Sequence, residues 1–121
     1  MTISHDAIPH VAALARAASR LLEEIDEGRM FELWERASGS ARASVPAPDV
    51  ADAVAAFRES QGALVSREWL GARREPDEPQ YLRLMFLSRF AAWSGEELVT
   101  LEREADGIWR LAGYGVLPAA C

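Results

Sequence analysis

Ile8, Val11, Leu14, Ala15, Ala18, Leu21, Leu22 and Ile25 recur every third or fourth position, which predicts one long amphipathic helix. Asp6 is placed to cap its start. Pro9 falls in the first turn, where a missing N–H costs little. Gly28 is a natural stop. Glu23, Glu24, Asp26 and Glu27 crowd the end where the helix dipole disfavours anions, so a solvated acidic face or a contact with arginine is expected there. A second, short helix should turn Met30, Phe31 and Trp34 inward and end at Gly39, and the small residues and prolines of 38–48 read as a loop. Asp49, with Asp52 three residues on, then caps a third helix. Its buried stripe is Val50, Ala53, Val54 and Phe57, and Gly62 closes it.

Beyond Gly62 the period changes to two. Residues 64–73 form a strand, and Glu75-Pro76-Asp77-Glu78-Pro79 a turn, because two prolines bracket acids that resist burial. Leu82, Leu84, Phe86, Phe90 and Ala92 then share one face, and Arg83 and Arg89 the other. Ser94-Gly95 reads as a turn. Residues 98–104 form a strand with Val99 and Leu101 inward, Asp106-Gly107 a two-residue hairpin loop, and residues 108–117 the last strand. The order is three helices followed by a four-stranded antiparallel meander. That predicts a single α+β domain over residues 1–121, with the helices on one face of the sheet. Leu14, Leu22, Trp34, Phe57, Phe86 and Trp109 are the expected core.

Three segments carry a resemblance: Gly62-Ala63-Leu64-Val65-Ser66-Arg67, Glu97-Leu98-Val99-Thr100-Leu101, and Asp106-Gly107-Ile108-Trp109-Arg110-Leu111-Ala112-Gly113-Tyr114. Together they resemble the bacterial family catalogued as domain of unknown function 4019, over about residues 10–117. The ending D-G-x-W-R-x-x-G-Y is the most specific part. The resemblance implies a fold like nuclear transport factor two, a cystatin-like cone in which a curved sheet wraps a long helix. It implies no activity, and it brings no catalytic motif. Such cones recur as enzymes, ligand binders and immunity proteins that neutralise toxins, and their open sheet faces often pair, which leaves a homodimer open.

Composition narrows the chemistry. The net charge of −6 disfavours nucleic acid and anionic membranes and favours a basic partner. All thirteen basic residues are arginine, so lysine Schiff-base chemistry and a P-loop lysine are excluded. The single cysteine, Cys121, cannot form an internal disulfide. No apolar run approaches the roughly 18 residues that span a bilayer. The first six residues lack the layout of an export signal, and the expectation is a cytoplasmic protein. His5 and His10 are five apart, off one helical face, so no metal site is expected. No nucleophile–base set or phosphate loop is present, and no cofactor or catalytic residue is assigned. Asp106 serves the turn. Tyr81, Tyr114 and Glu102 are the groups that a cone-fold lyase or isomerase with an apolar cavity could use.

The residues assigned to binding are instead Trp69 and Trp93, near strand ends, and the acids Glu75, Asp77, Glu78, Glu96 and Glu97. Tryptophan is enriched in binding hot spots, and clustered carboxylates speed docking of a basic protein. Glu102 and Glu104 form a further acid pair. The sequence reading is therefore a non-catalytic binding protein, an immunity-type inhibitor of a basic toxin. The alternative is a small-ligand binder or cone-fold enzyme. A deep pocket holding a buried acid and tyrosine would favour the alternative.

Overall fold

A computed structural model describes residues 10–119. Four helices precede four strands: α1 (Val11–Asp26), α2 (Met30–Glu35), α3 (Gly39–Ser44), α4 (Ala47–Gln61), β1 (Leu64–Glu75), β2 (Glu78–Phe90), β3 (Trp93–Arg103) and β4 (Trp109–Pro118). The strands form one antiparallel sheet in the order β1-β2-β3-β4, the expected meander. Among the described residues no helix is long and apolar enough to cross a membrane. The expectations placed on His5, Asp6, Ile8, Pro9 and Cys121 lie outside the described residues.

The apolar stripe of α1 packs as its periodicity predicts, with Ala15, Ala18, Leu22 and Ile25 buried. Gly28, at φ +82°, stops it: its N–H donates to Ile25 O (3.0 Å) and that of Arg29 to Glu24 O (3.0 Å), the paired bonds of a glycine C-cap. In α2, Met30, Leu33 and Trp34 are buried, but Phe31 is exposed; Leu33, one turn on from Met30, takes the inward position instead.

Residues 38–48 are not a loop. Ser38 caps α3, its hydroxyl accepting the Ala41 N–H (3.3 Å), so Gly39 opens a helix rather than ending one. Pro46, with its φ already fixed, starts α4 at Ala47, which leaves Asp49 in the first turn rather than at the cap. The inward face of α4 is Ala47, Val50, Val54 and Gln61, with Ala53 exposed.

Leu82, Leu84, Phe86 and Phe90 of β2 and Val99 and Leu101 of β3 face the helices, as alternation predicts. Leu22, Trp34 and Phe86 are core residues. Leu14, Phe57 and Trp109 are only half-buried, because each sits at a margin of the helix layer.

Two turns differ from the sequence reading. The β2–β3 loop is Ala91-Ala92, closed by the Phe90–Trp93 pair and tied down by Ala91 N–H to Ala63 O and Ala92 N–H to Gln61 O (both 2.8 Å), so Ala92 is exposed. Gly95 lies inside β3, where a Cβ would stand 2.8 Å from the Trp93 ring and closer still to the Leu117 carbonyl; close approach, not a turn, requires the glycine. The β3–β4 loop is three residues long, Ala105-Asp106-Gly107. Gly107 (φ +82°) takes the left-handed position, and Glu104 N–H reaches Ile108 O at 3.0 Å.

Candidate functional site

Glu97 lies on the helix-facing side of β3, in register with Phe86 and Val116, and is 0% exposed. A lone carboxylate there would be prohibitively desolvated. Four hydrogen bonds and a further ion-pair contact prevent that. Its Oε1 accepts from Arg67 Nε (2.8 Å) and Ser88 Oγ (2.6 Å), with Arg67 Nη2 in ion-pair contact at 2.7 Å. Its Oε2 accepts from Arg58 Nη2 (2.8 Å) and Tyr114 Oη (2.6 Å).

Asp26, the last residue of α1, closes the cluster from the other side. It accepts from Arg67 Nη1 (2.9 Å) and Nη2 (3.0 Å) and pairs with Arg58 Nη1. Phe90 supports both guanidiniums, which lie 5.0 Å (Arg58) and 5.9 Å (Arg67) from its ring centre. Two cations and two anions thus neutralise each other beneath the helices.

The electrostatics hold Asp26, Arg58, Arg67 and Tyr114 in their ordinary charge states. Burial alone would raise the Asp26 carboxyl, but the hydrogen bonds from Arg67 and Arg58 outweigh it and hold it below its usual value. Burial works against both guanidinium charges, and Asp26 and Glu97, with Tyr114 beside Arg58, overcome it. Burial first, and Glu97 second, push the Tyr114 phenol upward, so it stays a donor. A carboxylate whose lone pairs are taken by four donors has none free with which to take a substrate proton. The cluster therefore acts as a structural lock.

The sequence-assigned acids do not converge. Glu75 and Glu78 flank the Pro76-Asp77 tip of the β1–β2 hairpin, and neither they nor Asp77 have an ion-pair partner among the described residues. Glu75 and Glu78 share a hollow of about 410 Å³ with Tyr81, Arg83 and Thr100. Glu96 faces the opposite side of the sheet from Glu97, between Leu87 and Leu117. Glu97 is corrected outright: strand alternation places it inward with Val99 and Leu101, so it cannot belong to an exposed docking face. Glu102 and Glu104 are not a free acid pair either. Glu102 accepts from Ser40 Oγ (2.6 Å), and Glu104 from Gly39 N–H (2.8 Å) and Arg110 (2.7 Å), which latches α3 to the sheet.

The tryptophans separate. Trp93 is packed edge-on against Phe57 (5.5 Å) and against Phe90 (6.1 Å), so it is not an open anchor. Trp69 is 41% exposed and, with Leu64, Val65 and Phe86, lines a groove of about 650 Å³ between α1 and β1. Arg16, Ser19 and Glu23 form the α1 wall of that groove.

Sequence reasoning missed Asp26, Arg58, Arg67 and Ser88 as a unit. The signal was present: Ser88 continues the inward series of Leu84 and Phe86, and Arg58 follows Val50 and Val54 at four-residue steps. A polar residue on an apolar stripe needs a partner.

A family model described as a protein of unknown function (DUF4019) matches residues 17–114, a span that contains the whole Glu97 cluster. No curated protein and no solved structure matches the chain.

Proposed function

The chain belongs to the DUF4019 family, and from that premise we propose that it is a non-catalytic binding protein, an immunity-type inhibitor that neutralises a basic toxin protein. The observation that carries the reading is the saturation of Glu97: the acid and tyrosine that a cone-fold enzyme would turn toward a substrate are spent on Arg58, Arg67 and each other. What remains open is surface. The hairpin-tip carboxylates Glu75, Asp77 and Glu78 have no ion-pair partner among the described residues, and Glu75 and Glu78 share a hollow with Tyr81, an arrangement suited to a partner's guanidinium or ammonium groups. The reading carries with it a cone-like curvature of the sheet and a cytoplasmic location.

The test is affinity capture from native extract, followed by association kinetics with the recovered partner at low and high salt. The reading expects a basic protein whose association slows as salt rises. It also expects slower association when Glu75, Asp77 and Glu78 are all reversed to arginine. An association rate indifferent to both salt and the triple reversal overturns the assignment of the tip.

A second reading rests on the groove beside Trp69. Its volume of about 650 Å³ lies within the range that holds small ligands, and its walls are mainly apolar. Recovery of a small molecule alone, released by Trp69→Ala, would establish this reading over the first.

A further inference from the structure

The margin of the helix layer beside β4 carries a recess of about 280 Å³, walled by Leu14 and Leu21 of α1, Leu33 of α2 and Trp109 of β4. Leu14, Leu21 and Trp109 pack against the core yet stay half-buried, since each also borders this recess. The recess is separate from the groove beside Trp69. β1 and β4 are opposite edges of the sheet, and no residue lines both hollows. No member of the Glu97 cluster lines it either.

Its charge runs against that of the molecule. The chain as a whole carries −6, yet the recess is lined by three arginines and a single acid, Glu24. Arg110 is committed to Glu104 at 2.7 Å and to Asp106 at 3.0 Å. Arg36 meets Glu24 only at 3.5 Å, with 64% of its side chain exposed. Arg20 has no ion-pair partner among the described residues. Arg20 and Arg36 set against Glu24 therefore leave one positive charge beside apolar walls.

We propose that this recess binds a small monocarboxylate with an apolar body. Arg20 and Arg36 take the carboxylate, and Leu14, Leu21, Leu33 and Trp109 take the body. A guanidinium presents paired N–H donors that match the two oxygens of a carboxylate. One surplus positive charge balances one negative charge, which favours a carboxylate over a phosphate dianion. Apolar walls keep water from screening the pair. A volume of about 280 Å³ falls just below the range of drug-sized ligands, so the body is short, a chain of about six carbons or a single ring. The site owes nothing to the hairpin tip and is independent of the protein partner proposed above.

Arginine stems can also lie over apolar surface with no anion to bind, and the experiment separates the two roles. The full chain is titrated calorimetrically with sodium hexanoate, and with hexanamide as an uncharged control of the same length. The variants are Arg20→Gln, Arg36→Gln and Trp69→Ala, each checked for folding by circular dichroism. Hexanoate should bind with a Kd on the order of 1 mM or tighter, and about tenfold or more ahead of hexanamide. Arg20→Gln should weaken it about tenfold, and Arg36→Gln about threefold, because Glu24 already shares the Arg36 charge. Trp69→Ala should leave it unchanged. In ¹⁵N spectra hexanoate should shift the indole N–H of Trp109. No binding of hexanoate up to ~10 mM overturns the proposal. So does equal binding of hexanamide, or hexanoate binding that is indifferent to Arg20→Gln or is lost in Trp69→Ala.

Discussion

Glu97→Gln changes almost no volume, so it isolates electrostatics from packing. The fully buried carboxylate accepts four hydrogen bonds, three of them from the side chains of Arg58, Arg67 and Tyr114 within 2.6–2.8 Å. In the amide, one oxygen becomes an NH₂ donor facing donors that cannot turn away. Asp26 alone then balances two guanidiniums whose side chains are only 14% and 8% exposed. Breaking a buried pair from one side costs about 3–5 kcal/mol. At ~2.1 cal/mol/K per residue, that lowers the thermal midpoint by roughly 12–20 °C. The same loss should appear as a shift of the urea midpoint at constant slope, read by tryptophan fluorescence. Replacing Arg67 and Glu97 together by leucine leaves Arg58 and Asp26 as a neutral pair. The double variant should therefore cost about 1–3 kcal/mol less than the sum of the two single leucine variants. A Glu97→Gln loss below ~1 kcal/mol would refute the reasoning and show the cluster to be decorative.

Gly95→Ala should destabilise the domain by about 1–3 kcal/mol in chemical denaturation, since the methyl group meets the Trp93 ring and the Leu117 carbonyl. Gln61 is fully buried with neither amide atom partnered among the described residues, so the similarly sized Gln61→Met should raise stability by about 1 kcal/mol; a loss of that size would show that the amide is satisfied in solution. The Asp26 carboxyl is held below its ordinary value of 3.8, so its contribution is complete above that pH. It declines as pH falls toward the depressed folded value and is absent below it. A pH series of urea midpoints should therefore show a shallower acid limb in Asp26→Asn than in the wild type.

The fold was readable where one period dominates. Leu82, Leu84 and Phe86 fix the face of β2, and Ala15, Ala18, Leu22 and Ile25 that of α1, because burial of apolar surface outweighs local preference. It was unreadable where tertiary contacts decide. Ser94-Gly95 has the composition of a turn, yet Gly95 is glycine because Trp93 lies over it. Ser38 and Gly39 look like a break, yet the Ser38 N–H bound to Leu111 O (2.8 Å) and Glu104 bound to Gly39 N–H draw that segment onto the sheet as a helix start. The Glu97 cluster was half legible. Alternation points Glu97 inward, but its cationic partners stand 39 and 30 residues away in the chain, and nothing local announces them.

That spacing bears on how the molecule opens. Asp26, Arg58, Arg67, Ser88, Glu97 and Tyr114 come from six different elements, namely α1, α4, β1, β2, β3 and β4. None of them can detach without breaking an ion pair or a hydrogen bond to a buried charge. Partial opening is thereby penalised more than the apolar contacts of any one element would dictate. Amide protons of α1, α4 and the central strands should exchange with solvent at a nearly common free energy, as one cooperative unit. Because contacts so distant in sequence close late, unfolding should be slowed less by the ion pairs' strength than by the need to release all of them together.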